Sequence, residues 1–226
     1  MTQIIACSTS EGILLAADSR ATWFDETGEM RHFSLKKLLR LSSHSALLSA
    51  GAGIGVEMGF AFQHFLKGRA TEAIEDIIHM AFFFFTDQFG KWLGRREGQH
   101  SFFPRSPAGT SEEALPLSEV YLILAGYSFR DRHQPYHLRL FSSEGEKISI
   151  NALPASQIIV VPRSLSMEKR LETGRETRLP LDSLLTLSKS FLKKRSGEGE
   201  EVGPPFYFAT ITPSGYRERT EEGVKG

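Results

Sequence analysis

Residues 1–22 read MTQIIACSTSEGILLAADSRAT. TQIIACS and GILLAADS are short apolar runs separated by STSEG, a pattern that predicts a hairpin of two buried strands. Thr2 stands ahead of the first strand, directly behind Met1. A methionine followed by so small a residue is open to removal by cellular processing, which would leave Thr2 with both its hydroxyl and a free α-amine. Those two groups supply a nucleophile and a base on one residue.

Downstream, LLRL and ALLSA, separated by SSHS, repeat the strand pattern, so four strands are expected within the first 50 residues. GAGIGVEMGFAFQHFLKG then predicts a helix from about Ile54 to Lys67, ending near Gly68. A second helix is expected from about Thr71, where TEAIED offers an N-cap and early acids, through IIHMAFFFFTDQFGKWL. From Gly98 to about Leu117 the chain is rich in Pro, Ser and Gly, which predicts a long loop. Strands resume with VYLILAGY, with YHLRLFSSEGEKISI turning at SSEG, and with QIIVV. LPLDSLLTLSKSFLKKR gives a third helical block, and FYFATITP a final strand after the polar SGEGEEVGPP. Residues 216–226 read as a mobile charged tail. Strands grouped in blocks, without strict βα alternation, predict antiparallel sheets with helices packed on them. A four-layer αββα sandwich over residues 1–215, one domain, satisfies that order.

Composition narrows the function. Lys plus Arg equals Asp plus Glu at 27 each, so no net charge draws the chain to nucleic acid or to an anionic membrane, and neither is expected as a partner. Cys7 is the sole cysteine, which excludes a disulfide framework and any CxxC metal site. It reads as a small buried apolar residue suited to a reducing compartment. No basic segment followed by a long apolar stretch opens the chain and no 18-residue apolar span follows, so the expected location is cytoplasmic. The seven histidines lack metal-ligand spacing, and no metal or cofactor is predicted. His79, on an apolar helix, reads as an interior residue.

GILLAADSRAT followed by KKLLRLSSHSALLSAGAG resembles the N-terminal third of a proteasome-type β subunit. In that family a processed threonine leads into a VLAADSRAT-like strand, and a lysine precedes the strand that runs to a glycine turn. Thr2, Asp18, Arg20, Lys37 and Gly51 match in order and near-family spacing. The resemblance implies an N-terminal nucleophile hydrolase with the αββα fold, assembled into rings. It implies Thr2 as nucleophile with its own α-amine, of ordinary pKa about 8, as base. Lys37 would hold positive charge beside them, Asp18 would hold that ammonium, and the Gly51 N–H would be the oxyanion donor. The family's specificity pocket would here be lined by Leu47, Ser49 and Gly53, which hints at mixed apolar preference. A homo-oligomer acting on peptide or unfolded polypeptide is implied; no regulatory ATPase is identified by it.

The residues themselves leave alternatives open. Asp18 can begin a loop by capping backbone N–H groups, Arg20 reads as a structural ion-pair partner, and the glycines of SAGAGIG suit a tight strand-to-helix turn whether or not they shape an oxyanion hole. Alternation along LKKLLRL favours Lys37 over Lys36 as the inward residue. The family's Gly-Ser-Gly and Asp-x-x-Ser-Gly segments are absent. VVPRSLS and EGEEVGPP stand in their places, so that Ser164 or Ser166, and Glu200 or Glu201, are the candidates for supporting roles. The VGPPF ending is similar to the divergent bacterial, Anbu-type branch. Two function classes therefore stand: a threonine-type endopeptidase or amidohydrolase, and a noncatalytic assembly subunit. Self-association is expected through residues 54–97, where Gly55 and Gly59 allow close approach and FFFF at 82–85 covers every face of a helix.

Overall fold

The structure, a computed structural model, describes residues 2–24, 29–69, 71–98, 119–144, 147–151, 157–199 and 201–223. The chain begins with β1 (Ile4–Ser8), β2 (Ile13–Ala17), β3 (Arg20–Phe24), β4 (Met30–Ser34), β5 (Leu38–Arg40) and β6 (Ser45–Gly51). Helices α1 (Gly53–Lys67) and α2 (Ile74–Gly98) follow, then β7 (Val120–Tyr127), β8 (Tyr136–Glu144), β9 (Lys147–Asn151) and β10 (Ile158–Val161). It ends with α3 (Leu165–Glu176), α4 (Leu181–Glu198), β11 (Phe206–Thr212) and β12 (Gly215–Glu221).

Two five-stranded antiparallel sheets result, in the orders β10-β1-β2-β11-β12 and β5-β6-β7-β8-β9. Alternation sorts each central strand between two dry faces. Ile4, Ala6, Ile13, Leu15 and Ala17 of the first sheet meet Leu38, Ala46, Leu48, Ala50 and Ile123 of the second in one core between the sheets. The opposite residues, Ile5, Cys7, Leu14 and Ala16, pack under α3 and α4 with Leu171, Leu184 and Leu192. Leu47, Leu122 and Leu124 pack under α1 and α2 with Phe62, Ile77 and Phe85. Since both faces of both sheets are covered, β1 and β2 are buried at every position, which is why they read as unbroken apolar runs. Truncating one such leucine or isoleucine costs about 2–5 kcal/mol. A four-layer αββα sandwich is thus built.

Several elements depart from the expected order. β3 and β4 form a separate two-stranded ribbon, invisible to a search for burial because β4 is exposed throughout. VVPRSLS continues into α3, a polar helix whose inward stripe is only Met167, Leu171 and Gly174. The tail expected from Tyr216 is instead β12, paired with β11 from Phe206↔Glu221 to Thr212↔Gly215. Its charges alternate outward along an edge strand, and the backbone ladder, not side-chain burial, fixes it. Gly55 and Gly59 bring α1 against its own sheet: a Cβ at Gly59 would sit 3.1 Å from Ser49 Oγ and 3.2 Å from Leu39 and Leu47. His79 is exposed, its ring edge against Phe83. The loop expected over 98–117 lies outside the described residues from 99 onward. No helix among the described residues is long and apolar enough to cross a membrane.

Candidate active site

Three backbone pairings bring the sequence candidates to one end of the sandwich. Asp18 follows β2 and its N–H donates to the carbonyl of Gln3, 3.1 Å away, so it lies beside the start of β1 and one residue from Thr2. Leu38↔Leu48 pairing, with the Ser49 N–H on the Lys37 carbonyl at 2.9 Å, sets Lys37 across from Ser49 and two residues from Gly51. The two sheets are then joined at this end by Lys37 Nζ donating to Asp18 Oδ1 at 3.0 Å.

This ion pair is closed from water. Asp18 is 0% and Lys37 2% exposed in their side chains. The carboxylate also accepts the Gln3 N–H on Oδ1 at 2.9 Å and the Arg20 N–H on Oδ2 at 3.0 Å. The ammonium donates a second hydrogen to the Arg20 carbonyl at 2.5 Å. Burial lowers the Lys37 pKa, and the Asp18 charge opposes that by favouring the ammonium. Burial likewise raises Asp18, against the pull of Lys37 and of the Gln3 N–H. Each charge is therefore maintained by the other, an arrangement that tolerates removal of neither partner. Lys36 points away and pairs with Glu218 at 2.5 Å, partly exposed.

Thr2 is half-buried. Carried back from β1, strand alternation puts it on the side of Ile4, which packs in the core between the sheets. Gly51 closes β6 with φ +86°, and a Cβ there would lie 2.1 Å from the Glu119 carbonyl, so the turn into α1 requires glycine. Gly53 is exposed at the start of α1, with nothing within 4 Å of a built Cβ. Leu47 and Ser49 are fully buried on the side of α1, and Leu47 belongs to the core beneath the helices, so neither presents an open lining. Among the described residues the Ser49 hydroxyl has no hydrogen-bond partner.

The supporting candidates divide. Ser164 is the N-cap of α3, its hydroxyl accepting the Met167 N–H at 3.4 Å, and Ser166 is exposed with its hydroxyl 3.3 Å from that of Ser164. Glu201 is exposed, and Glu200 lies outside the described residues, as does Met1. Both replacement stretches nevertheless arrive at the site through other residues. The Gly203 carbonyl accepts the Ser19 N–H at 3.1 Å, and a Cβ on Gly203 would stand 2.3 Å from Arg20 Nε, so the Arg20 side chain lies directly over this glycine. The Gln3 side chain reaches Val161 and Pro162. Sequence reading missed Gln3, Ser19 and Gly203; only the glycine, within VGPP, offered a signal. Among the described residues no cluster of three His, Cys, Asp or Glu could hold a metal. A groove of about 330 Å³ lies elsewhere, between α4 and the β11–β12 hairpin, where Lys189 and Lys193 reach Glu221 and Arg219 faces Asp182.

No family model matches the chain, and no curated protein matches it in sequence. Solved structures do. The fold is similar to that of the Gly-1 mutant of Anbu from Hyphomicrobium sp. strain MC1, at a TM-score of 0.64 and 15% identity over 99% of this chain and 88% of that one. It is equally similar to Anbu, described as an ancestral β-subunit, from Yersinia bercovieri, at a TM-score of 0.66 and 13% identity over 98% of this chain and 88% of the other. The likeness is one of fold, and it extends over nearly the whole chain. Both structures are of Anbu proteins, the type that the VGPPF ending resembles.

Proposed function

We propose that this protein is a proteasome-like threonine-type N-terminal nucleophile hydrolase that cleaves amide bonds of peptides or unfolded polypeptide inside a self-assembled oligomer, after Met1 is removed. One observation carries the reading: a fully buried Asp18–Lys37 pair is hydrogen-bonded to the backbone of Gln3, the residue adjoining Thr2. A buried ion pair at the mouth of an apolar core is costly for stability alone, whereas beside a nucleophile it has a use. In this mechanism the Thr2 amine accepts the proton of the Thr2 hydroxyl as the oxygen attacks the substrate carbonyl. The amine then returns the proton to the departing amide nitrogen, leaving an ester on Thr2 that water hydrolyses with the same amine as base. Two of the three Lys37 N–H groups serve Asp18 and the Arg20 carbonyl, which leaves the third for the Thr2 oxygen in this mechanism. The ammonium also lowers the proton affinity of the nearby amine, keeping it basic in form near neutrality. The Gly51 N–H takes the developing oxyanion, a role worth about 3 kcal/mol.

Phe60 and Phe83, large and exposed on α1 and α2, support self-association through that helical layer. The noncatalytic assembly subunit remains the second reading, favoured by the use of Ser164 as a helix cap and by the exposure of Glu201. An epoxyketone, which requires a hydroxyl and an α-amine on one residue, separates the two. Processed protein should form the adduct at Thr2, mapped by peptide mass spectrometry, and hydrolyse fluorogenic peptides, while Met1-bearing protein does neither. Cys7 is not a competing site, because burial pushes its thiol up to about 12. An adduct elsewhere, or equal hydrolysis by the Met1-bearing form, overturns the assignment. A strict 25.3 kDa monomer at micromolar concentration by light scattering overturns the assembly.

A further inference from the structure

We infer that Gln3 is a positioning residue for the Thr2 nucleophile, clasping the start of β1 to the loop between β10 and α3; this rests on the function proposed above. Gln3 is 3% exposed, unusual for a glutamine. Its side-chain amide donates through Nε2 to the carbonyls of Val161 and Pro162, at 3.2 Å each. Its backbone is occupied at the same time: the N–H donates to Asp18 Oδ1 at 2.9 Å and the carbonyl accepts the Asp18 N–H at 3.1 Å. One residue is thus held from two directions, by β2 through its backbone and by the β10–α3 loop through its side chain.

That matters because the preceding residue, Thr2, becomes the chain end once Met1 is removed as proposed. A terminal Thr2 has no strand before it to fix its direction, and its hydroxyl and amine act only if both stand in attacking geometry. Strand alternation puts Gln3 on the side of Ile5, toward the helices, and Thr2 on the side of Ile4. Gln3 therefore lies behind the reacting groups and touches no substrate. Ile4 alone, paired with Val161 and Ala17, would secure the strand but leave the two residues before it to swing. The clasp also explains how the VVPRSLS stretch contributes to the site with its serines turned elsewhere: it presents carbonyls, not hydroxyls.

The test uses processed full-length protein carrying Gln3→Met, which keeps the length and removes both donors, and Gln3→Glu, which places a carboxylate against two carbonyls and regains a donor only when protonated. For Gln3→Met, kcat should fall about 10- to 100-fold with KM within about twofold and the oligomer unchanged. For Gln3→Glu, kcat relative to the unsubstituted protein should recover as pH falls, a response that Gln3→Met lacks. Periodate cleavage of the Thr2 amino alcohol, read by mass spectrometry, gives a measure independent of turnover, and it should be faster in Gln3→Met. Active parent protein with unchanged kcat in both variants, or unchanged periodate rates, overturns the clasp alone. Inactive processed parent protein whose Thr2 is oxidised faster in Gln3→Met overturns the hydrolase and leaves the clasp standing. Should Gln3→Met fail to fold, the pH response of Gln3→Glu decides.

Discussion

Lys37→Ala should abolish peptide hydrolysis and also destabilise the fold, by about 3–5 kcal/mol. The sequence alone, through its resemblance, suggests a catalytic loss with folding nearly intact. The structure changes that expectation, because the partner left behind, Asp18, is wholly buried. Without the ammonium, the remaining influence of burial raises the Asp18 pKa further above its unfolded value. A carboxyl so raised contributes stability below its unfolded pKa and loses it as pH climbs through the folded one. The Lys37→Ala deficit, measured by urea unfolding of variant and parent, should therefore be smaller in mildly acid than in mildly alkaline buffer. Asp18→Asn combined with Lys37→Met removes both charges and should recover most of the stability while remaining inactive. Lys36→Ala should change activity little and stability by under about 1 kcal/mol, since its pair with Glu218 is partly exposed. Equal loss of activity in Lys36→Ala and Lys37→Ala would show that the register is wrong.

Thr2→Ala should be inert, with Thr2→Ser retaining partial activity because it keeps the hydroxyl and the amine on one residue. The rate of the parent should rise with pH as the amine loses its proton, in a limb at or below the ordinary α-amine value of about 8 if Lys37 acts on it as proposed. An N-terminal tag should be as damaging as Thr2→Ala, because an acylated nitrogen cannot serve as base. Stability should scarcely move in any of these, as Thr2 is half-buried and precedes β1. Full hydrolysis by Thr2→Ala protein, or a rate that falls over this pH range, would remove Thr2 from the mechanism.

The first 53 residues by themselves supplied most of the candidate site residues and much of the fold. Continuous apolar runs identified β1, β2 and β6 because both faces of each strand are dry, and burial of that kind writes itself into every position. Alternation at LKKLLRL singled out Lys37, and Gly51 marked a backbone that no other residue adopts easily. What lacked a burial pattern went unread: β4 is exposed along its length, α3 buries one narrow stripe, and β12 is held by its ladder with β11. Only the tertiary structure decided that Asp18 and Lys37 are sealed together, that Leu47 and Ser49 turn under α1, and that Gln3, with Gly203, joins the second half of the chain to the first. These contacts span 158 and 159 residues for Gln3 and 184 for Ser19 with Gly203. They run through backbone carbonyls, which every residue carries, so no choice of side chain at the accepting end could announce them.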